Sequence, residues 1–341
     1  MKTLLLTSAR GHRKNAVSRG AALIREGRCV AFPTETVYGL GADACNASAV
    51  RKIFRIKGRP ADNPLIVHLW SLDQLPLVAV SVPVMFWILA NRFMPGPLSV
   101  VLRKSAAIPD IVTAGLPTVG VRFPDHPVAR ALLKACRVPV VAPSANLSGR
   151  PSPTRAEHVL EDLDGRIPAV LDGGTCRIGL ESTVVDLTSR VPTILRPGGV
   201  TREDLEDALG IHVRQARHTR KHPASPGMKY RHYSPSAEVI LYEGTRKEVV
   251  AAMLRTLRQL GGKKRVGVMA EESLGRFFRG YPFFSFGLEG VSSAGQSLFA
   301  GFRSLDSAKV DVILCQGFSE ADLGSALMNR LRRAATRRVR V

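Results

Sequence analysis

The sequence predicts an α/β protein of two domains. Three observations carry that expectation. The chain has 341 residues, enough for two domains of ordinary size. Segments of helical period alternate with short apolar runs up to residue 196, the pattern of an α/β sheet protein. A basic, turn-rich break then precedes a second round of the same alternation. The expected organisation is an N-terminal α/β domain with a twisted sheet over residues 1–213, a linker or lid over 214–236, and a smaller Rossmann-like α/β domain over 237–341.

In the first domain, residues 15–27 place Ala16, Ala21, Ala22, Leu23 and Ile24 at helical spacing, and 29–32 reads as a short buried strand. Residues 33–41 form a loop with a Gly-rich end. Asn46 or Ser48 caps a helix over 49–57, which puts Lys57 in its last turn and Gly58 at its stop. Strands are expected at 65–69, 98–102 and 118–122. The apolar region 75–90 contains Pro76 and Pro83, falls short of a membrane span, and reads as two buried segments. A helix over 126–136 and a strand over 138–142 follow, then a helix over 152–163. Strands at 169–172, 182–187 and 193–196 finish the domain. In the second domain, strands are expected at 239–242, 265–269 and 310–315, and helices at 246–260, 292–305 and about 325–335. It lacks the G-x-G-x-x-G fingerprint, so no dinucleotide is assigned to it.

Composition bounds the function. A hydrophobic content of 45% and a charged content of 23% are those of soluble globular protein. The formal charge of +21 points to an anionic partner such as nucleotide, RNA or an acidic protein. Residues 214–341 hold 23 of the 49 Lys and Arg but only 10 of the 28 Asp and Glu, so the second part is the more basic. Five scattered cysteines without a C-x-x-C pair argue against a disulfide framework or structural zinc and fit a reducing, cytoplasmic setting. No secretory signal or membrane segment is expected.

The chemistry concentrates in two strings beside prolines. Lys57-Gly58-Arg59 and Ser144-Ala145-Asn146 together offer two cations, a hydroxyl and an amide, a set that holds a polyphosphate and stabilises charge building on it. Further polar groups sit at loop and strand ends: Thr34, Glu35, Thr36 and Tyr38, then His68, Arg122, Ser182, Thr183 and Arg196. Each alone is explained by a solvated charge, a capping hydroxyl or a satisfied core histidine. Jointly they suit a nucleoside triphosphate beside a small zwitterion. There is no G-x-x-x-x-G-K-[ST], no G-x-S-x-G and no H-E-x-x-H, which turns the reading away from P-loop, serine-hydrolase and zinc-protease chemistry.

The strings Pro33-Thr34-Glu35-Thr36-Val37-Tyr38-Gly39-Leu40-Gly41, Lys57-Gly58-Arg59-Pro60, Asn63-Pro64-Leu65, Ala142-Pro143-Ser144-Ala145-Asn146, Glu181-Ser182-Thr183-Val184-Val185-Asp186 and Leu195-Arg196-Pro197-Gly198 resemble the threonylcarbamoyl-AMP synthases, a YrdC-like family, in their long two-domain form. So do 225–235 and, in the second domain, Leu323-Gly324-Ser325-Ala326-Leu327-Met328-Asn329-Arg330.

That resemblance implies a YrdC-like first domain and a reaction. The amine of L-threonine captures bicarbonate, the carbamate attacks the α-phosphate of ATP, and pyrophosphate leaves. The product passes to a transferase that modifies tRNA. The resemblance places ATP near Arg59, Asn63, Thr118, Ala142, Ser144, Ser152 and Arg196. His232 and Tyr233 would join from a lid over 225–235. It places threonine near Thr36, His68, Arg122 and Ser182. Lys57, Arg59, Ser144 and Asn146 are the expected catalytic set, with Mg²⁺ arriving on ATP and no protein metal site. No general base is evident, which leaves positioning and charge stabilisation as the catalytic terms. The Arg-rich stretch 330–340 reads as either a solvated helix face or a contact for tRNA or a partner. The competing reading is a non-catalytic RNA-binding factor, which the charge favours and the lack of aromatic RNA-binding motifs disfavours.

Overall fold

The computed structural model describes residues 2–7, 13–216, 233–288 and 290–341. The chain divides into two compact units, Met1–Ser148 with Ser152–Tyr230, and Gly149–Pro151 with Arg231–Val341.

The first unit opens with β1 (Leu4–Thr7), α1 (Arg13–Arg25), β2 (Val30–Phe32) and β3 (Gly39–Asp43). Next come α2 (Ala47–Lys57), β4 (Ile66–His68), α3 (Leu75–Val78), β5 (Ala79–Val80) and α4 (Val84–Phe93). β6 (Leu98–Lys104), α5 (Asp110–Thr113), β7 (Thr118–Arg122), α6 (Pro127–Cys136) and β8 (Val140–Val141) follow. α7 (Ala156–Leu163), β9 (Ala169–Asp172), β10 (Thr183–Asp186), β11 (Thr193–Arg196), α8 (Arg202–Leu209) and β12 (Arg214–Gln215) complete it. The twelve strands form one mixed sheet in the order β1-β9-β2-β3-β8-β4-β7-β6-β10-β11-β12, with β5 on the side of β6.

Alternation along the central strands decides what each face does. Val67, Leu69, Val100, Leu102, Val119, Val121 and Val185 point into a large apolar core. Their neighbours Ile66, His68, Ser99, Val101, Gly120, Arg122 and Val184 point the other way. Register aligns Arg196 with Val184, Val184 with Ser99, Ser99 with Arg122, and Arg122 with His68. Directly opposed residues share a face, so Arg196, Ser99, Arg122 and His68 form a polar row over four of five adjacent strands, with Val184 between Arg196 and Ser99. A second core packs α1 and α6 over β2, β8 and β9 through Ile24, Phe32, Leu132, Val140 and Leu171.

The second unit contains β13 (Glu238–Glu243), α9 (Arg246–Leu260), β14 (Val266–Ala270), β15 (Phe283–Ser285), α10 (Val291–Ser307), β16 (Val312–Gln316), α11 (Gly324–Ala334) and β17 (Arg337–Arg340). Its five strands are all parallel, in the order β15-β14-β16-β13-β17. The connections through α9, α10 and α11 make it the expected smaller α/β unit. A capping box starts α9, with Thr245 and Glu248 each closing on the other's backbone N–H.

Several elements differ from the sequence expectation. Residues 39–43 form a strand rather than a loop. A Cβ on Gly41 would lie 2.7 Å from the Phe32 ring, so glycine is what lets β3 pair with β2 there. The helix expected from 152 starts at Ala156, because Pro151 and Pro153 hold the approach extended. The basic C-terminus is a strand after Ala334, not a continuous helix face. Arg332 and Arg338 pair with Glu243, and Arg332 also with Glu320. Of 225–235, residues 225–232 lie outside the described residues, including His232.

Candidate functional site

Lys57 and Arg59 owe their places to the way α2 ends. Asn46 caps its start by accepting from Ser48 and Ala49 N–H. Gly58 ends it at φ +60°, a left-handed turn that glycine adopts without strain. The turn leaves Lys57 buried beneath the 143–148 loop. Its Nζ donates to Ser144 O and Asn146 O, each at 2.5 Å. The Lys57 carbonyl in turn accepts from Ser148 N–H at 2.9 Å. Burial and the Arg59 charge hold the ammonium well below the usual lysine range, with Asp162 opposing. Lys57, expected from sequence as a phosphate cation, directs its amine at the loop that displays Ser144 and Asn146. The same loop is fixed from the other side by Ala145 N–H to Tyr38 O, at 2.8 Å, and a bridge between Gly39 and Ser144.

Past Gly58 the chain curls so that Arg59 Nη2 donates to Asn63 O and Pro64 O, both at 3.2 Å. Asn63 is fully buried, yet neither its Oδ1 nor its Nδ2 has a hydrogen-bond partner. A buried amide left in that state costs roughly 1–3 kcal/mol, so it has capacity for a ligand or a water.

The polar row on the sheet is the second half of the site. Arg122 Nη2 donates to Thr36 Oγ1 at 2.8 Å. Thr36 is held by a small turn in which Thr34 Oγ1 accepts from Thr36 and Val37 N–H and donates to Val37 O. Arg122 Nη2 also lies 2.8 Å from Glu35 Oε1, an ion pair with both side chains buried. Ser99 and Ser182 share a hydroxyl hydrogen bond of 2.8 Å. Arg196 closes the row through Nε and Nη2 on Ser182 O, at 3.1 and 2.9 Å, and Nη2 on Ser182 Oγ at 3.1 Å. His68 sits beside Arg122 with its ring edge-on to Phe32 and Nδ1 3.2 Å from Ile66 O. Burial, then the Arg122 charge, pushes its pKa down to about 3, so it is a neutral imidazole at physiological pH. Ser152 joins the same region by donating to Glu181 Oε1 at 2.5 Å, next to Ser182.

The structure thus links Thr36, His68, Arg122, Ser182 and Arg196 in one row. It links Lys57, Arg59, Asn63, Ser144 and Asn146 in one pair of interlocked loops. Ala142 N–H donates to Ile66 O at 3.0 Å, tying the strand that enters the 143–148 loop to the polar sheet. Thr118 starts β7 on the face that carries Arg122. Tyr233 belongs to the second unit, where its ring stacks on Phe299 at 5.4 Å and lies near the Arg330 guanidinium. Ser99 and Glu181 are polar members that the sequence reading did not select, and Glu35 was noted there among the polar groups without a role. Ser99 had a signal, as the one hydroxyl in an otherwise apolar strand core. Among the described residues no group of three or more His, Cys, Asp or Glu is arranged to hold a metal ion, and no helix is long and apolar enough to cross a membrane.

Comparison with known proteins gives this arrangement a context. Residues 22–198 match the family model Sua5_yciO_yrdC, described as telomere recombination. Residues 200–336 match the model described as threonylcarbamoyl-AMP synthase, C-terminal domain. The threonylcarbamoyl-AMP synthase of Pyrococcus abyssi is 47% identical over 335 residues, covering 94% of each chain. That of Bacillus subtilis is 46% identical over 327 residues, covering 95% of this chain and 94% of the relative. The crystal structure of P. abyssi Sua5 complexed with L-threonine superposes with a TM-score of 0.95 at 44% identity, covering 99% of this chain and all of that one.

Proposed function

The chain belongs to the threonylcarbamoyl-AMP synthase family and is an enzyme of that class, and from that premise we propose that it makes threonylcarbamoyl-AMP from L-threonine, bicarbonate and ATP with release of pyrophosphate. The product would then serve a transferase that installs threonylcarbamoyladenosine in tRNA. The observation that carries this reading is the buried row Thr36, Arg122, His68 and Ser182 beside the interlocked 57–63 and 143–148 loops.

Arg122 receives the threonine carboxylate, the contact its planar fork suits best. Thr36, Ser182 and neutral His68 are within the same row to orient the amino acid and its hydroxyl. A site that hydrogen-bonds that hydroxyl rejects an amino acid lacking it. Asn63, whose amide has no internal partner, takes nucleotide, together with Arg59, Thr118, Ala142, Ser144, Ser152 and Arg196. Charge growing on the α-phosphate and on the leaving pyrophosphate is met by Arg59 and Arg196 and by the Ser144–Asn146 loop that Lys57 holds in shape. Mg²⁺ carried in on the triphosphate would neutralise phosphate charge. Tyr233 and His232 remain nucleotide contacts proposed on resemblance alone. Contact with tRNA is proposed for a groove of about 950 Å³ between α1 and α6, whose lining among the described residues includes Arg13, Lys14, Arg25, Lys134 and Arg137 and no carboxylate.

Mass spectrometry of a reaction holding ATP, L-threonine and ¹³C-bicarbonate tests the proposal. A threonylcarbamoyl-adenylate carrying the label is expected. Threonyl-AMP formed without bicarbonate would mean an aminoacyl-adenylate former, and no adenylate at all would favour an RNA-binding factor.

A further inference from the structure

We infer that Glu35 is the residue that recognises the α-amino group of the substrate; the inference rests on the reading of Arg122 as the carboxylate site. Glu35 is 1% exposed, as deeply buried as the apolar core. A carboxylate in such a place offers about four acceptor positions and is costly to leave unbonded. Its nearest cation is Arg122 Nη2 at 2.8 Å from Oε1. That nitrogen is aligned on Thr36 Oγ1 instead, and neither Glu35 oxygen has a hydrogen bond. Arg122 Nε is likewise buried without a partner. An unsatisfied acceptor pair and an unsatisfied donor therefore lie side by side.

Two features say that this is a built arrangement rather than a loose side chain. The Glu35 backbone is pinned, its carbonyl accepting from Ile178 N–H at 2.8 Å. The turn made by Thr34 fixes the residues on both sides of it. Among the described residues, the other titratable neighbours do not supply a second cation. His126 has its pKa lowered by burial, and the Cys176 thiol is pushed up to about 12 by burial, so both are neutral near pH 7.5. A folded chain would gain stability by replacing an isolated Glu–Arg pair with apolar groups. Its presence makes chemical sense as a receptor for a zwitterion. The ligand's carboxylate takes donors from Arg122, and its ammonium donates to Glu35. Alternating charges ligand–Arg122–Glu35–ligand then leave no net buried charge.

Calorimetric titration of the full chain with L-threonine and with 3-hydroxybutyrate, its analogue lacking the amino group, tests this. Wild type is expected to hold threonine at least about tenfold more tightly than the analogue, the worth of one charge-assisted hydrogen bond. Glu35→Gln is expected to lose roughly that factor for threonine and little for the analogue. Equal losses for both ligands would overturn the inference, because Glu35 would then only support Arg122. So would no loss for either. If Glu35→Gln does not fold, the wild-type comparison decides alone: an analogue that binds as well as threonine refutes an amino-group contact. Wild type that binds neither ligand would overturn the threonine reading itself, a different failure.

Discussion

Replacing Lys57 by methionine separates two ways in which a lysine beside a phosphate site can act. Methionine keeps most of the side-chain volume and removes the ammonium. In the structure that ammonium donates to Ser144 O and Asn146 O from a position 2% exposed. Leaving two such carbonyls unsatisfied costs about 1–3 kcal/mol each. The gain from no longer burying an ammonium offsets part of that, because its pKa is already forced down. A net loss of roughly 2–3 kcal/mol follows, which for a unit of this size lowers its melting temperature by about 5–10 °C. The 144–146 loop loses its anchor at the same time, so ATP affinity should fall about tenfold or more although the amine points at carbonyls. Thermal unfolding read beside ATP titration checks both. A variant that melts like wild type but no longer binds ATP would refute the anchor and show an amine engaged directly with phosphate.

Three further outcomes are expected. Asn63→Leu removes an amide that has no internal partner. Without nucleotide it should be as stable as wild type or more so by about 1 kcal/mol, while ATP affinity drops at least about tenfold, measured by chemical denaturation and titration. His68 has a folded pKa near 3 against about 6.5 when unfolded. Between those values the unfolded chain binds the proton and the folded chain does not, so its contribution to stability is complete above pH 6.5 and is lost as pH falls toward 3, by at most about 1.4 kcal/mol per unit. His68→Gln should flatten the slope of unfolding free energy over pH 6.5–4, leaving a smaller residue from His126, which is shifted the same way. Gly198→Ala would place a Cβ 2.1 Å from Thr183 N and 2.3 Å from Ser182 C. The backbone must shift where Arg196 meets Ser182, so synthase activity should fall much further than stability, which should change by about 1–3 kcal/mol.

Local signals made much of the fold legible. The 49–57 helix announced itself by Asn46 before it and Gly58 after it, and the structure uses both as caps. The apolar runs at 98–102 and 118–122 became adjacent strands. What sequence could not show was register, because it depends on partners far along the chain. Only the pairing of Ser99 with Arg122, and Arg122 with His68, reveals that these side chains share one face. Short elements were lost for a related reason. Leu4–Thr7 has too few residues for periodicity, and Gly39–Asp43 looks like a loop because glycine is needed for Phe32 to pack. Strand β17 was hidden by its arginines, which sit at a sheet edge, where Arg338 pairs with Glu243, instead of covering a helix. Glu35 stood out as one of the polar groups of the 33–41 loop but gave no sign of burial, since a glutamate in a polar loop normally faces water.

The central claim is that one buried row grips an amino acid while the adjoining loops hold ATP. Pyrophosphate release by wild type and by Arg122→Gln, with threonine and bicarbonate added or withheld, tests it most directly. Release by wild type only when ATP, threonine and bicarbonate are all present, and its near loss in the variant with ATP binding retained, is the predicted result. Release that ignores threonine, or that survives in Arg122→Gln at the wild-type threonine requirement, would contradict the account.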